Sequence, residues 1–222
     1  MTTTRAGIVH AIEAAGVVAV VRLPDATAGA AVAKALAEGG VTAIEVTMTV
    51  PNAVRLIAEL SATLGDGMLV GAGTVLDVAT AREVIQAGAR FVVGPVFRPA
   101  VIAACHELGV PAMPGCFSPT EILSAWDAGA DVVKVFPATA LGPGFFKDIR
   151  GPLPQVKLMP TGGVTRANAG DWICAGAVAI GVGTALVDPK AVAEGRFDAI
   201  RENAAHFVAA VRDARAGAAV KG

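Results

Sequence analysis

The chain has 222 residues, enough for one large domain with a substantial core. Its 18 basic and 19 acidic residues leave a net charge of −1 with no block of either sign, which argues against a nucleic-acid surface or an acidic tail. Apolar residues make up 54%, yet Gly, Pro or a charge cuts every apolar run short of a membrane span, and three scattered cysteines without a C-x-x-C spacing offer neither a disulfide framework nor a metal site. A cytoplasmic protein without metal or membrane partner is expected.

In chain order, Met1 to Gly16 reads as a short amphipathic helix, because His10 and Glu13 break what would otherwise resemble a signal-peptide core. A unit then repeats: a helical stretch closes on Ala-Gly or Gly-Gly, and an apolar run follows almost at once. Gly39-Gly40, Gly88, Gly109, Gly129 and Gly176 mark these closures. Glycine at the C-terminal end of a helix takes the left-handed conformation without steric cost, and the short apolar run after it suits a strand buried on both faces. The pattern predicts strands at Val17–Arg22, Ala43–Thr47, Met68–Gly71, Phe91–Gly94, Val110–Pro114, Asp131–Phe136, Val156–Pro160 and Val178–Gly181. Eight parallel strands alternating with helices predict a (β/α)8 TIM barrel, one domain over residues 1–222 preceded by a short helix. A doubly wound open sheet is the competing fold.

In a barrel of this kind the active site lies at the C-terminal ends of the strands, and polar residues collect there. Lys134 sits within Val132-Val133-Lys134-Val135-Phe136, so it points into one of two apolar layers. A charged lysine is costly there, whereas burial favours the neutral amine that attacks a ketone. Glu45, between Ile44 and Val46, is a second charge in a buried strand and shares a face with Thr47. Burial suits a carboxyl to acid–base work near neutrality. A purely structural Lys134–Glu45 pair fits the same positions, so position alone does not decide. Thr161-Gly162-Gly163 and Gly181-Val182-Gly183-Thr184 end the last two strands, where barrels often hold phosphate on backbone N–H groups. Arg22 either binds a carboxylate bidentately or is solvated, since Pro24-Asp25 follow directly. Lys34, Lys147, Lys157, Lys190 and Lys221 read as solvated, and His10, His106 and His206 as lying on outer helix faces. Trp126 and Trp172 fit helix packing, and Cys116 fits packing better than the site.

Five segments occur in order: Glu45-Val46-Thr47, Gly71-Ala72-Gly73-Thr74-Val75, Met113-Pro114-Gly115, Lys134-Val135-Phe136-Pro137 and Pro160-Thr161-Gly162-Gly163-Val164. As a set, the chain from Val17 to Val187 resembles the 2-keto-3-deoxy-6-phosphogluconate (KDPG) aldolase / 4-hydroxy-2-oxoglutarate (KHG) aldolase family. The resemblance implies a class I aldolase that cleaves a phosphorylated 2-oxo sugar acid to pyruvate and glyceraldehyde 3-phosphate. It implies Lys134 as Schiff-base lysine, Glu45 as acid–base, and Thr74 near the pyruvyl carboxylate. Gly162, Gly163, Gly183 and Thr184 would hold phosphate, with Arg22, Thr47, Thr49, Pro95, Phe136 and Thr161 also at the substrate. It further implies a homotrimer needing no cofactor. Two departures stand out: Thr49 where many members carry a carboxylate-binding arginine, a role Arg22 could fill, and Gly94 before Pro95 where many carry Ser. They leave the choice between gluconate and galactonate epimers open. A phosphate-binding isomerase or epimerase with Glu45 as base, and a non-catalytic binding protein, are the competing functions.

Overall fold

A computed structural model describes residues 4–219. Helix α1 (Arg5–Ala15) precedes strand β1 (Val17–Val21). There follow α2 (Gly29–Glu38), β2 (Ala43–Thr47), α3 (Ala53–Leu64), β3 (Leu69–Gly73), α4 (Val78–Gln86), β4 (Val92–Val93) and α5 (Pro99–Glu107). The second half comprises β5 (Ala112–Met113), β6 (Gly115–Cys116), α6 (Pro119–Asp127), β7 (Val133–Val135), α7 (Gly142–Arg150), β8 (Leu158–Pro160), α8 (Ala169–Cys174), β9 (Ile180–Val182), α9 (Pro189–Ala193) and α10 (Phe197–Ala219). Local chemistry explains the boundaries. Asp77 caps α4 through Thr80 N–H, Ser118 and Glu121 form a reciprocal capping box on α6, and the closing glycines take positive φ, 107° at Gly88 and 100° at Gly176.

All strand pairings are parallel. Six strands run β5-β4-β3-β2-β1-β9 and three run β6-β7-β8. The expected fifth strand, Val110–Pro114, is reduced to β5, which pairs with β4, and a further short strand, β6, follows beyond its expected end and pairs with β7. Pro114 separates them, and it has no N–H to donate to a ladder. Its carbonyl still accepts from Lys134 N–H at 3.0 Å, so the chain continues across the break. At the other edge Thr161 bridges Gly181 in parallel, and Val178 N–H donates to the Leu158 carbonyl at 3.0 Å. The result is an α/β fold with a curled parallel sheet.

Side chains alternate across this sheet and build two cores. The outer core packs the strands against the helices, with Val17, Ala19, Val21, Ile44, Val46, Val133 and Val135 among its members. The inner core holds Val18, Ala43, Leu69, Phe91, Met113, Val132 and Met159 from the concave face, joined by Ile8, Val9 and Ile12 of α1. Helix α1 thus plugs the N-terminal ends of the strands. Arg215 of α10 fastens it, donating to the carbonyls of Glu13, Ala14 and Val178. Among the described residues no helix is long and apolar enough to cross a membrane.

Four expectations are corrected. His106 is half-buried and contacts Asp131 at 3.0 Å, and His206 is half-buried with its Nε2 on the Arg166 carbonyl at 3.2 Å. Each fills a contact between secondary elements and does not lie on an outer face. Lys157 is half-buried and pairs with Glu13 at 2.5 Å, so it is not simply solvated. The third strand extends two residues further than expected, to Gly73, because Gly71 and Gly73 continue the ladder with β2. Lys34, Lys147 and Lys190 are exposed, while Lys221 lies outside the described residues.

Candidate active site

Ala43 and Val132 belong to the inner core, so strand alternation turns Glu45, Thr47 and Lys134 to the same concave face, toward the C-terminal ends. Lys134 is 3% exposed and Glu45 1%, with Nζ and Oε1 3.9 Å apart. The second carboxylate oxygen of Glu45 is buried and has no hydrogen-bond partner. Gly73 leaves space for this carboxylate, since a Cβ there would collide with it. The Phe136 ring lies 5.1 Å from Lys134 Nζ, within cation–π range.

Thr47 is buried and donates to the Val21 carbonyl at 3.1 Å. That use of its proton makes Thr49 the donor in the 2.7 Å contact between their hydroxyls. Thr49 itself is exposed.

A cavity of about 90 Å³ lies against Phe136, whose ring stands 5.1 Å from the Lys134 amine; Lys134 and Glu45 themselves do not line it. It brings together Arg22, Phe136, Thr161, Gly162, Gly163, Gly183 and Thr184, seven of the residues picked out from sequence. Phe136 links it to Lys134. The Thr161 hydroxyl is buried without a partner, and Gly181 makes room for it, because a Cβ at 181 would strike that oxygen. Gly162 and Gly163 adopt φ of 88° and 73°, a backbone few other residues tolerate, and lie close against Thr139. Thr74 and Pro95 are not part of the cavity lining. Thr74 follows Gly73 at the end of β3 with a φ of 61°, an uncommon conformation for a residue carrying a Cβ. Pro95 packs its carbonyl where a side chain at Gly115 would otherwise go. A wider, more open groove of about 560 Å³ runs between α3 and α4, lined by Met48, Val50 and Asn52 among others and by none of the glycine-rich strand ends.

Cys116 is buried, and its thiol is pushed up to about 12 by burial and then by the Glu121 charge, which fits packing. Sequence reasoning missed Ala185 in the cavity wall, and Thr139 and Asn168 behind it, while Val164 and Gly181 of the wall were quoted only as parts of motifs. No periodicity marks Thr139. Asn168, three residues beyond Thr165, carries the weak signature of a residue closing a local turn.

A parallel α/β fold with a buried lysine–glutamate pair beside a glycine-rich cavity is the architecture of an enzyme, and the comparisons make that enzyme an aldolase. The family described as "Aldolase: KDPG and KHG aldolase" matches residues 8–203. The 2-dehydro-3-deoxy-phosphogluconate aldolase of Treponema pallidum is 37% identical over 194 residues, covering 87% of this chain and 92% of that protein. The 2-dehydro-3-deoxy-6-phosphogalactonate aldolase of Escherichia coli is 33% identical over 181 residues, covering 81% and 86%. Among solved structures, the KDPG aldolase of Legionella pneumophila, with pyruvate captured at low pH as a covalent carbinolamine intermediate, superposes with a TM-score of 0.84 at 31% identity, over 90% of this chain and 97% of that one. This chain belongs to the KDPG and KHG aldolase family.

Proposed function

We propose that the protein cleaves 2-dehydro-3-deoxy-6-phosphogluconate to pyruvate and glyceraldehyde 3-phosphate through a Schiff base on Lys134. The neutral amine adds to the C2 carbonyl, one amine proton passes to the oxygen, Glu45 delivers a second, and water leaves to give the iminium. Glu45 then takes the proton of the C4 hydroxyl. The C3–C4 bond breaks, its electron pair moves to the iminium nitrogen, and the aldehyde departs. Glu45 passes that proton to C3 of the enamine, and hydrolysis of the resulting iminium by water returns pyruvate and the free amine and reprotonates Glu45.

The observation that carries this reading is the spacing of the buried pair. A direct charge-assisted hydrogen bond is about 2.7–2.9 Å long. Here the gap is 3.9 Å and one carboxylate oxygen has no partner, leaving an acid–base group poised beside the amine. Arg22 receives a carboxylate, while Thr161 offers its unpartnered hydroxyl to the substrate. Gly162, Gly163, Gly183 and Thr184 present backbone N–H groups to the phosphate. Thr47, Thr49, Thr74, Pro95 and Phe136 complete the substrate surround. The scaffold is a closed (β/α)8 barrel forming a single domain over residues 1–222. The links across Pro114 and between Thr161 and Gly181 support closure. The family resemblance supports a homotrimer acting in the cytoplasm without cofactor.

Borohydride reduction in the presence of pyruvate tests the chemistry. Wild type gains a pyruvyl mass on the peptide containing Lys134. A Lys134→Ala variant that is still trapped would end the assignment. Pyruvate release from the gluconate and galactonate epimers and from 4-hydroxy-2-oxoglutarate, measured side by side, ranks the substrates.

A further inference from the structure

We infer that Asn168 is a positioning residue that holds the loop after β8 in its anion-receiving conformation, an inference that rests on the phosphate reading above. The side chain of Asn168 reaches back across the loop and bridges it. Its Nδ2 donates to the Gly163 carbonyl at 2.9 Å, and its Oδ1 accepts from Thr165 N–H at 2.8 Å. In a trans peptide the carbonyl and the following N–H point in opposite directions. Holding the Gly163 carbonyl on the Asn168 side therefore turns Val164 N–H to the other side, and Gly162, Gly163 and Val164 all line the cavity. Two consecutive left-handed glycines have many alternatives open to them, so this orientation needs an external hold.

A second hold comes from the helix layer. His206 of α10 donates Nε2–H to the Arg166 carbonyl at 3.2 Å, and its Nδ1 faces the Arg166 guanidinium at 3.3 Å. Both contacts tie the segment to α10. Asn168 touches neither Lys134 nor Glu45, so its effect is on recognition of the phosphate end.

The test compares Asn168→Leu and Asn168→Asp with wild type, using three readouts. These are KM and kcat for the phosphorylated substrate, inhibition by inorganic phosphate, and the rate of borohydride trapping of pyruvate. Loss of the two hydrogen bonds is expected to raise KM for the phosphorylated substrate about tenfold beyond any change in pyruvate trapping, and to weaken phosphate inhibition by the same factor. Asn168→Asp keeps an acceptor for Thr165 N–H but sets a carboxylate against the Gly163 carbonyl, so it is expected to share the KM defect. If Leu proves poorly folded, the shape-matched Asp variant carries the readout. An unchanged KM, equal losses in all three readouts, or wild-type KM in the Asp variant would each overturn the role. A wild-type enzyme indifferent to inorganic phosphate and to the substrate's phosphate would overturn the underlying phosphate site instead.

Discussion

Glu45 and Lys134 were legible as buried charges because each interrupts an apolar strand, but their separation was not, since it depends on how far strands β2 and β7 stand apart around the curled sheet. The 3.9 Å gap now gives a directional expectation. On the proposed mechanism Glu45→Gln keeps the volume but removes the proton shuttle, so kcat should fall by about 10²–10⁴-fold while slow pyruvate trapping on Lys134 persists, as steady-state and trapping assays would record. The cysteines make an independent check. Burial raises the Cys105 and Cys116 thiols to about 12, with the charges of Asp131 and Glu121 respectively adding to the effect, so at pH 8 both are protonated as well as inaccessible. A thiol reagent should label exposed Cys174 in the native protein and reach the other two only after unfolding, as mass spectrometry would reveal.

Helix boundaries were the most readable elements, because caps and glycines act within a few residues of where they stand. The capping box on α6 illustrates this and can be measured. Ser118→Ala should destabilise the protein by about 0.5–2 kcal/mol in denaturant titration. Glu121 accepts N–H groups from Phe117 and Ser118, which hold its carboxyl below the ordinary 4.5. Its contribution is therefore complete above that value and is lost as pH falls below it, so the stability gap between wild type and Glu121→Gln should narrow in acid. The continuation of strand pairing past Pro114, into Gly115–Cys116, was not readable. Pro114 was plain in the sequence, but whether a proline ends a strand or only interrupts its ladder depends on which neighbour each flanking residue faces. The half-buried histidines were misjudged for the same kind of reason: Asp131 and Arg166, which they meet, lie 25 and 40 residues away.

Across the whole molecule, the repeat of strand and helix announced the parallel α/β class, while the layering into two cores emerged only from the fold. The inner core depends on α1, and α1 depends on Arg215, whose guanidinium serves three carbonyls. Arg215→Ala should cost about 1.5–3 kcal/mol, a fall of several degrees in melting temperature by calorimetry. The plug also gives the molecule a floor and a roof of opposite character. Helix α1 covers the strands' N-terminal ends, whereas the reactive groups gather at the opposite rim. A bead or electrode coupled through the exposed His10 of α1 would grip the protein by its floor and leave the rim carrying the proposed site turned toward the flowing solution.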